Sequence, residues 1–497
     1  KHGLGIFAFI SGLFQQYFSF TSILRTLTLF KSRYFLYIQL NYYISKTNNS
    51  MNKPNASRRD FLKKTALGTA GVGFAASFSA KSYARILGAN DKVRVGIVGF
   101  SNRARGSLIP AFMGHAKELN FEFTGMSDIW NRRRDECQAY FKEKGYGKIK
   151  AYRNNEELYD SQTADAVIIS TADFQHALHA KQAVEAGCDV YCEKPFGEAM
   201  DDIKAGLEAC ESSGKVVQIG SQRRSGANYH AAADFIKQGK FGDITMVEMT
   251  WNVNQPGRWR RPDLVASIRK EDTDWDRFLM NRPKEAWDPR KYLEYRLFWP
   301  YSSGIPGQWM SHQIDTVHWF SGLDHPRSVA ANGGVYVWND GRRNADTMTA
   351  VFEYGPQDDL SKGFQVVYSS RMHNSAGGTK EIYFSNAGTL NLKNNTISPE
   401  GGLGERHASA MGMEPNLLPE KKLEDVQVST AANTGADNMT SAHMRNWMEC
   451  VRDRNVNTNA PARVGYNHSV ANIMTTTALH TGKKVTFDDK SQLIVLS

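Results

Sequence analysis

From position 93 onward, short runs of β-branched and aromatic residues alternate with stretches whose apolar positions recur every three or four residues. The runs Val93–Val98, Phe121–Ser127, Asp165–Ser170, Asp189–Cys192 and Lys215–Gly220 read as strands. Between them, an amphipathic segment ending near Lys117 and the segments Asn131–Lys144, Ala177–Ala186 and Met200–Ser213 read as helices. Repeated strand–helix units predict an α/β domain with a doubly wound parallel sheet over residues 91–222. After a helix at Ala227–Gln238 the pattern changes. Alternating runs at Ile244–Val253, Ser328–Val337, Asp346–Tyr354, Phe364–Ser370, Glu381–Ser385 and Thr389–Leu392 predict an α+β domain over 223–485 with a mostly antiparallel open sheet. Residues 395–435, rich in Gly, Asn and Pro, read as a surface excursion. Helices at His443–Arg452 and Asn467–His480 are expected to close the chain by packing back on the first domain.

Upstream of this body the pattern is of another kind. Residues 1–50 hold twelve aromatics and no Asp or Glu, and Arg25, Lys31 and Arg33 break their apolar runs below the roughly 18 residues of a spanning helix. They read as an upstream extension. From Met51 the order Ser57-Arg58-Arg59-Asp60-Phe61-Leu62-Lys63-Lys64, a weakly apolar run from Thr65 to Ala80 and small residues near Ala84 read as a twin-arginine export signal and linker, residues 51–90. The expected partner is the twin-arginine export machinery and the expected location is the periplasm.

That partition changes the charge argument. The 497-residue chain carries a formal net charge of +10, but residues 1–90 hold twelve Lys/Arg against Asp60 alone, which leaves the body near −1. The basic excess therefore implies neither nucleic acid nor a membrane surface as a partner. Five cysteines in apolar patterns lack paired spacing and read as buried thiols, with no metal site.

Chemistry enters with the turn after Val98. Gly99-Phe100-Ser101-Asn102-Arg103-Ala104 sits between a strand and a helix, the context of a phosphate-binding loop; Ser101 and Ala104 stand where the second and third glycines of the dinucleotide pattern would be. The Ser101 hydroxyl is expected to donate to a phosphate at the helix N-terminus. Asp128, at the end of the second strand, would accept from an adenosine ribose and repel a 2′-phosphate, favouring NAD while Arg132 and Arg133 leave NADP open; a helix cap is its alternative role. Thr171 to His176, Glu193 to Pro195 and Gly220 to Arg224 lie at other strand ends and should converge on the same crevice. The cofactor-binding candidates are thus Gly99, Ser101, Asn102, Arg103, Asp128, Thr171, His176, Glu193, Lys194 and Gln222.

Taken together, Gly96 to Gly106, Ser170 to His176, Glu193-Lys194-Pro195, Gly220-Ser221-Gln222-Arg223, Gly239-Lys240-Phe241-Gly242 and the His312/Asp315 helix resemble the glucose-fructose oxidoreductase, inositol dehydrogenase and MocA (Gfo/Idh/MocA) family over residues 91–485. The resemblance implies a Rossmann domain binding NAD or NADP, held tightly, a sheet that mediates homo-oligomers, and hydride transfer to or from a carbinol of a sugar, sugar derivative or cyclitol. It implies for Lys194 an acid–base or hydroxyl-binding role, and for His312 an acid–base role with an Asp one turn before it. This chain has Gln308 there. At about 100° per residue Gln308, His312 and Asp315 share one helix face. Arg223, Trp259, Gln308, Trp309, His312 and Asp315 are the substrate candidates, within a group of aromatics (Trp251, Trp259, Trp299, Tyr301, Trp309) and arginines (Arg258, Arg260, Arg261) suited to an acidic or heavily hydroxylated saccharide. Glycoside cleavage through transient oxidation, and a silent sugar and dinucleotide sensor, stand as alternative readings.

Overall fold

The computed structural model describes residues 91–423 and 436–496. The expected upstream extension and export signal, residues 1–90, lie outside the described residues. Six strands, β1 (Val93–Val98), β2 (Phe121–Ser127), β3 (Lys150–Tyr152), β4 (Ala166–Ile169), β5 (Asp189–Cys192) and β6 (Val217–Ile219), pair in the order β3-β2-β1-β4-β5-β6. Every pair is parallel. The winding reverses between β1 and β4, and a ligand crevice is expected beyond the carboxyl ends of those two strands. β3 went unanticipated because three residues are too few to show a period.

Helices cover both faces of this sheet, which is why its strands read as nearly unbroken apolar runs. All four residues of β4 are buried. Phe112, Phe123, Tyr191 and Trp447 form the core on one face, while Ile203, Phe196 and Val190 belong to the core on the other. Trp447 comes from the helix Asn438–Asp453 and packs its ring within 5.9 Å of Tyr191. Arg445 on the same helix pairs with Glu118, so this late segment is structurally part of the first sheet's cover.

The second sheet has ten strands, adding β7 (Ile244–Asn252), β8 (Ser328–Gly334), β9 (Thr347–Tyr354), β10 (Phe364–Arg371), β11 (Thr379–Ser385), β12 (Gly388–Asn391), β13 (Thr396–Ser398), β14 (Lys421–Lys422), β15 (Val485–Asp488) and β16 (Leu493–Leu496). Their order is β14-β13-β12-β11-β7-β10-β9-β8-β15-β16. β7 inserts between the sequential strands β10 and β11, and its pairing with β10 is the sheet's one parallel pair. Alternating burial along β9 and β10 gives one face to the core, against the helices Ser311–Ser321 and Ala462–Thr481. Two differences from the sequence reading stand out. The excursion after 395 is partly ordered into β13, β14 and the helix Glu405–Ala410, and β15 and β16 carry the sheet past residue 485. Both are short strands flanked by turn residues, which masks their periodicity. Residues 424–435 of the excursion lie outside the described residues. Among the described residues no helix is long and apolar enough to cross a membrane.

Candidate functional site

Gly99 leaves β1 with φ +85°, and a Cβ there would stand 2.8 Å from Thr171 Cγ2 and 3.3 Å from Ser170 O. Glycine therefore lets the loops after β1 and β4 touch. The Ser101 hydroxyl donates to Ser170 Oγ at 3.1 Å and accepts from Ala104 N at 3.2 Å. This departs from the expected phosphate donor: the hydroxyl is committed to capping the following helix and tying it to the β4 loop. Asn102 and Arg103 begin that helix, whose next turn, Ala104–Leu108, is π-helical.

Asp128 accepts from Phe100 N and Trp130 N, both at 2.9 Å. Burial raises its pKa against the lowering effect of those two amides. Together Gly99, Ser101, Asn102, Asp128 and Thr171 line a cavity of about 400 Å³ at the carboxyl ends of the strands. Among the described residues the Thr171 Oγ1 is buried with no hydrogen-bond partner, and buried polar groups rarely stay so without a ligand or water. A close-approach glycine, a helix start, an orphan hydroxyl and a carboxylate at the far wall fit a dinucleotide. Part of the remaining wall comes from Trp259, Tyr292, Tyr295 and Arg296; the last three were invisible to spacing arguments because they sit on short helices in an aperiodic stretch.

A second cavity of about 760 Å³ continues from the first, sharing Ser101, Asn102, Arg103, Thr171, Trp259 and Arg296. Lys194 and His312 both line it, as do His176, Glu193, Gln222 and Arg223. Glu193 is engaged by Arg103 Nε at 2.9 Å and Gln222 Nε2 at 3.1 Å, so these three candidates are joined to one another. His176 is buried beneath, its ring nitrogens 2.7 Å from Pro195 O and 3.2 Å from Thr171 O. The Lys194 ammonium finds no carboxylate within ion-pair distance among the described residues. It donates instead to Gln308 O at 2.7 Å and Gly307 O at 3.4 Å. Burial lowers its pKa to about 8, partly offset by the more distant Glu193 and Asp173 and aided by Arg296 and Arg103.

Those carbonyls belong to a π-helical turn, Pro306–Met310, that runs into the helix Ser311–Ser321. A bond pattern of i to i+5 widens the turn and breaks the 100° spacing assumed from sequence across Pro306–Met310, so Gln308 and Trp309 both line the cavity, with His312 in the helix beyond. Asp315 does not line it: in the regular helix it stands about 60° round from His312. Asp315 is 1 % exposed and grips Arg224 through three contacts of 2.9–3.1 Å. Its assignment to substrate is thereby corrected: the carboxylate is an internal counter-ion. Gln308 is also fixed, accepting from Arg296 Nε at 2.8 Å and donating to Asp173 Oδ2 at 2.6 Å. Asp173 was missed because a lone Asp in Ser170–His176 carries no pattern.

His312 makes no ring hydrogen bond among the described residues and stacks on Trp251, centroids 5.8 Å apart. Burial, then Lys194, Arg223 and Arg103, push its pKa well down, so its imidazole is neutral. Trp251 is parallel to Trp309 within 5°, and Trp309 meets Trp259 at 5.5 Å. Trp299 and Tyr301 lie elsewhere, against His480 and within the Phe174/Phe278 cluster. Arg223 pairs with buried Glu381 and donates to His312 O at 3.4 Å. Arg258 and Arg261 line the cavity, whereas Arg260 is turned to Glu294 and Asp340.

Residues 93–221 match the model of an oxidoreductase family with an NAD-binding Rossmann fold, Gfo/Idh/MocA. A 1,5-anhydro-D-fructose reductase from Ensifer adhaerens is 29 % identical over 203 residues, 39 % of this chain and 58 % of that protein. An inositol 2-dehydrogenase from Salmonella paratyphi B is 25 % identical over 187 residues, 37 % of this chain and 53 % of that protein. The matches thus span little more than half of these relatives' lengths. Among solved structures, a levoglucosan dehydrogenase in complex with NADH and levoglucosan superposes with a TM-score of 0.57 at 13 % identity, covering 80 % of this chain and 99 % of that one. The WlbA dehydrogenase from Bordetella pertussis, in complex with NADH and UDP-GlcNAcA, does so at 0.58 and 17 %, covering 80 % and 99 %. At such identities the likeness concerns the fold.

Proposed function

From a chain whose residues 93–221 are a Gfo/Idh/MocA-type NAD-binding Rossmann domain, we propose an NAD-dependent oxidoreductase that moves a hydride between the nicotinamide and a carbinol carbon of a sugar, sugar derivative or cyclitol. The observation that carries this reading is the placement of Lys194 and His312 on one cavity that opens directly from the dinucleotide crevice. Gly99, the helix start at Asn102, Thr171 and Asp128 would hold the cofactor, which supplies the hydride acceptor or donor. Asp128, a carboxylate on the cavity wall, favours a ribose hydroxyl there over a 2′-phosphate.

The proton is handled by Lys194. An ammonium has three donors; two go to Gly307 O and Gln308 O, and the third is left for a substrate oxygen. On deprotonation the two carbonyls still take N–H donors, so the lone pair occupies that same third direction. A pKa near 8 makes both forms accessible, base for oxidation and acid for reduction. Neutral His312 can exchange hydrogen bonds with the same or a neighbouring hydroxyl without competing for the charge. Gln308 cannot transfer a proton; clamped between Arg296 and Asp173, it fixes the turn whose carbonyls aim the lysine.

Residues 51–90 further suggest twin-arginine export to the periplasm with NAD already in place, and the outer face of the second sheet suggests a homo-oligomer. The experiment is to purify the mature protein, identify any retained dinucleotide by mass spectrometry, and assay Lys194→Met on sugars and cyclitols. Retained or titratable NAD with turnover reduced about a hundredfold or more in the variant supports the reading. Sugar and NAD binding without turnover in the wild type would instead leave a binding protein.

A further inference from the structure

The second cavity carries an excess of positive charge that its own residues do not neutralise. Arg103 pairs with Glu193, Arg223 with Glu381, and Arg296 lies 3.7 Å from Asp173. Lys194, Arg258 and Arg261 are left without a carboxylate within 4.0 Å among the described residues, and Asp437 on the rim is spent capping Thr440. Lys194 has its own task. Arg261 borders both cavities and so stands within reach of a dinucleotide phosphate, but Arg258 borders only the second. Arg258, half-buried and without a carboxylate partner among the described residues, is thus placed to meet an anion brought by the substrate.

Arg258 is built in, not loose. Its guanidinium lies 5.6 Å from the centroid of Trp309 and 5.9 Å from that of Trp259, and its one side-chain hydrogen bond among the described residues goes to the neutral amide of Gln255. Trp259 is held at φ +67°, a region costly for a bulky residue, and follows Gly257 at φ +70°. Strain of this sort clusters at ligand-binding positions. The desolvated guanidinium, next to Arg296 and Arg261, has its pKa lowered for want of a counter-charge.

The geometry also gives the occupant a direction. From His312 the wall passes to Trp251 at 5.8 Å, to Trp309 at 6.1 Å with the two indole planes parallel within 5°, and then to Arg258. A run of aromatic contacts thus joins the imidazole to the guanidinium along the cavity, and the C–H face of a sugar ring packs well on exposed indole edges and faces. With its carbinol beside Lys194 and His312, the ring's far end meets Arg258, where a planar anion can be taken by two parallel N–H donors.

We propose that the substrate is an anionic saccharide, whose carboxylate or phosphate substituent is held by Arg258 at the end of the Trp251–Trp309 wall opposite the reacting carbon. This rests on the oxidoreductase reading only for the location of the reacting carbon; the anion site stands on its own residues. The test is binding to the full mature protein, read by tryptophan fluorescence and titration calorimetry with and without NAD. Glucuronate and galacturonate form the carboxylate arm, glucose 6-phosphate the phosphate arm, and glucose and galactose the neutral arm. At least one anionic arm should bind about tenfold or more tighter than its neutral counterpart, and added salt should weaken that arm alone. Arg258→Gln should erase the preference, while Arg258→Lys keeps the charge without the planar fork and retains part of it.

Neutral and anionic sugars binding within about twofold of each other, or neither binding at all, would overturn the proposal. So would an Arg258→Gln effect equal for both classes, or one confined to NAD titrated separately. Failure of NAD retention or of the Lys194→Met assay bears on the oxidoreductase reading and leaves these binding results intact.

Discussion

Lys194 shows how one side chain's environment sets its chemistry. Desolvation dominates its pKa, and the carboxylates of Glu193 and Asp173 favour the charged form too weakly to restore the ordinary value of 10.5. The base needed for oxidation is then present above about pH 8 and the acid needed for reduction below it. We expect the rate of sugar oxidation at saturating NAD to climb as pH rises through that value and the reductive rate to fall, a crossing that Lys194→Met abolishes in steady-state pH profiles. Gly99 makes a second residue-scale prediction. Alanine there meets both a left-handed φ and Thr171 Cγ2 at 2.8 Å, so Gly99→Ala should cost about 1–3 kcal/mol of stability and weaken NAD, measured by thermal melts and cofactor titration. Both residues were legible in the sequence, because a Gly after an apolar strand and a Glu-Lys-Pro at a strand end carry their local context with them. The fate of Asp315 was not, since no spacing rule says that Arg224 waits opposite it.

At the scale of elements, that pair matters more than its absence from the cavity suggests. Arg224 leaves the turn after β6, Asp315 sits on the helix Ser311–Ser321, and their bidentate contact locks the helix that carries His312 to the first sheet. Removing one partner of a buried ion pair strands the other. Arg224→Ala is expected to cost about 3–5 kcal/mol in denaturant unfolding, and Arg224→Ala/Asp315→Asn to recover part of it, a coupling that a double-mutant cycle measures. The π-helical turn before this helix is the other element-scale finding. It moves Trp309 into the cavity beside Gln308 and turns the Gly307 and Gln308 carbonyls towards Lys194. A helix drawn at constant pitch from sequence misses it, because the extra residue per turn is set by tertiary contact and not by composition.

Across the whole molecule, two buried groups with displaced pKa values shape stability in opposite ways. Glu198, 2 % exposed and receiving only Ser303 among hydrogen-bond donors, is raised to about 8 by burial and then by Asp173. The folded protein keeps a proton that the unfolded chain sheds above its ordinary 4.5, so stability declines as pH rises between 4.5 and about 8. Lys194 acts in the next window. Its folded form is deprotonated above about 8 while the unfolded lysine stays charged to 10.5, and stability there rises with pH. Glu198→Gln should flatten the first slope and leave the second, a contrast visible in melting temperatures taken from pH 5 to 10.

The sequence by itself determined what depends on near neighbours along the chain: the parallel sheet of the first domain and five of its six strands through their strand–helix alternation, the glycine turn after β1, and the strand-end lysine. These follow from periodicity and backbone sterics, which act over a few residues. Tertiary structure decided which charges answer one another. Asp315 to Arg224, Glu193 to Arg103, and Gln308 between Arg296 and Asp173 are all partnerships across distant segments, fixed only when two packed domains bury them together. It also decided that Arg258 should be left facing the cavity on a wall of tryptophans, because burial without a counter-charge is a property of the folded surroundings and has no signature in the order of residues.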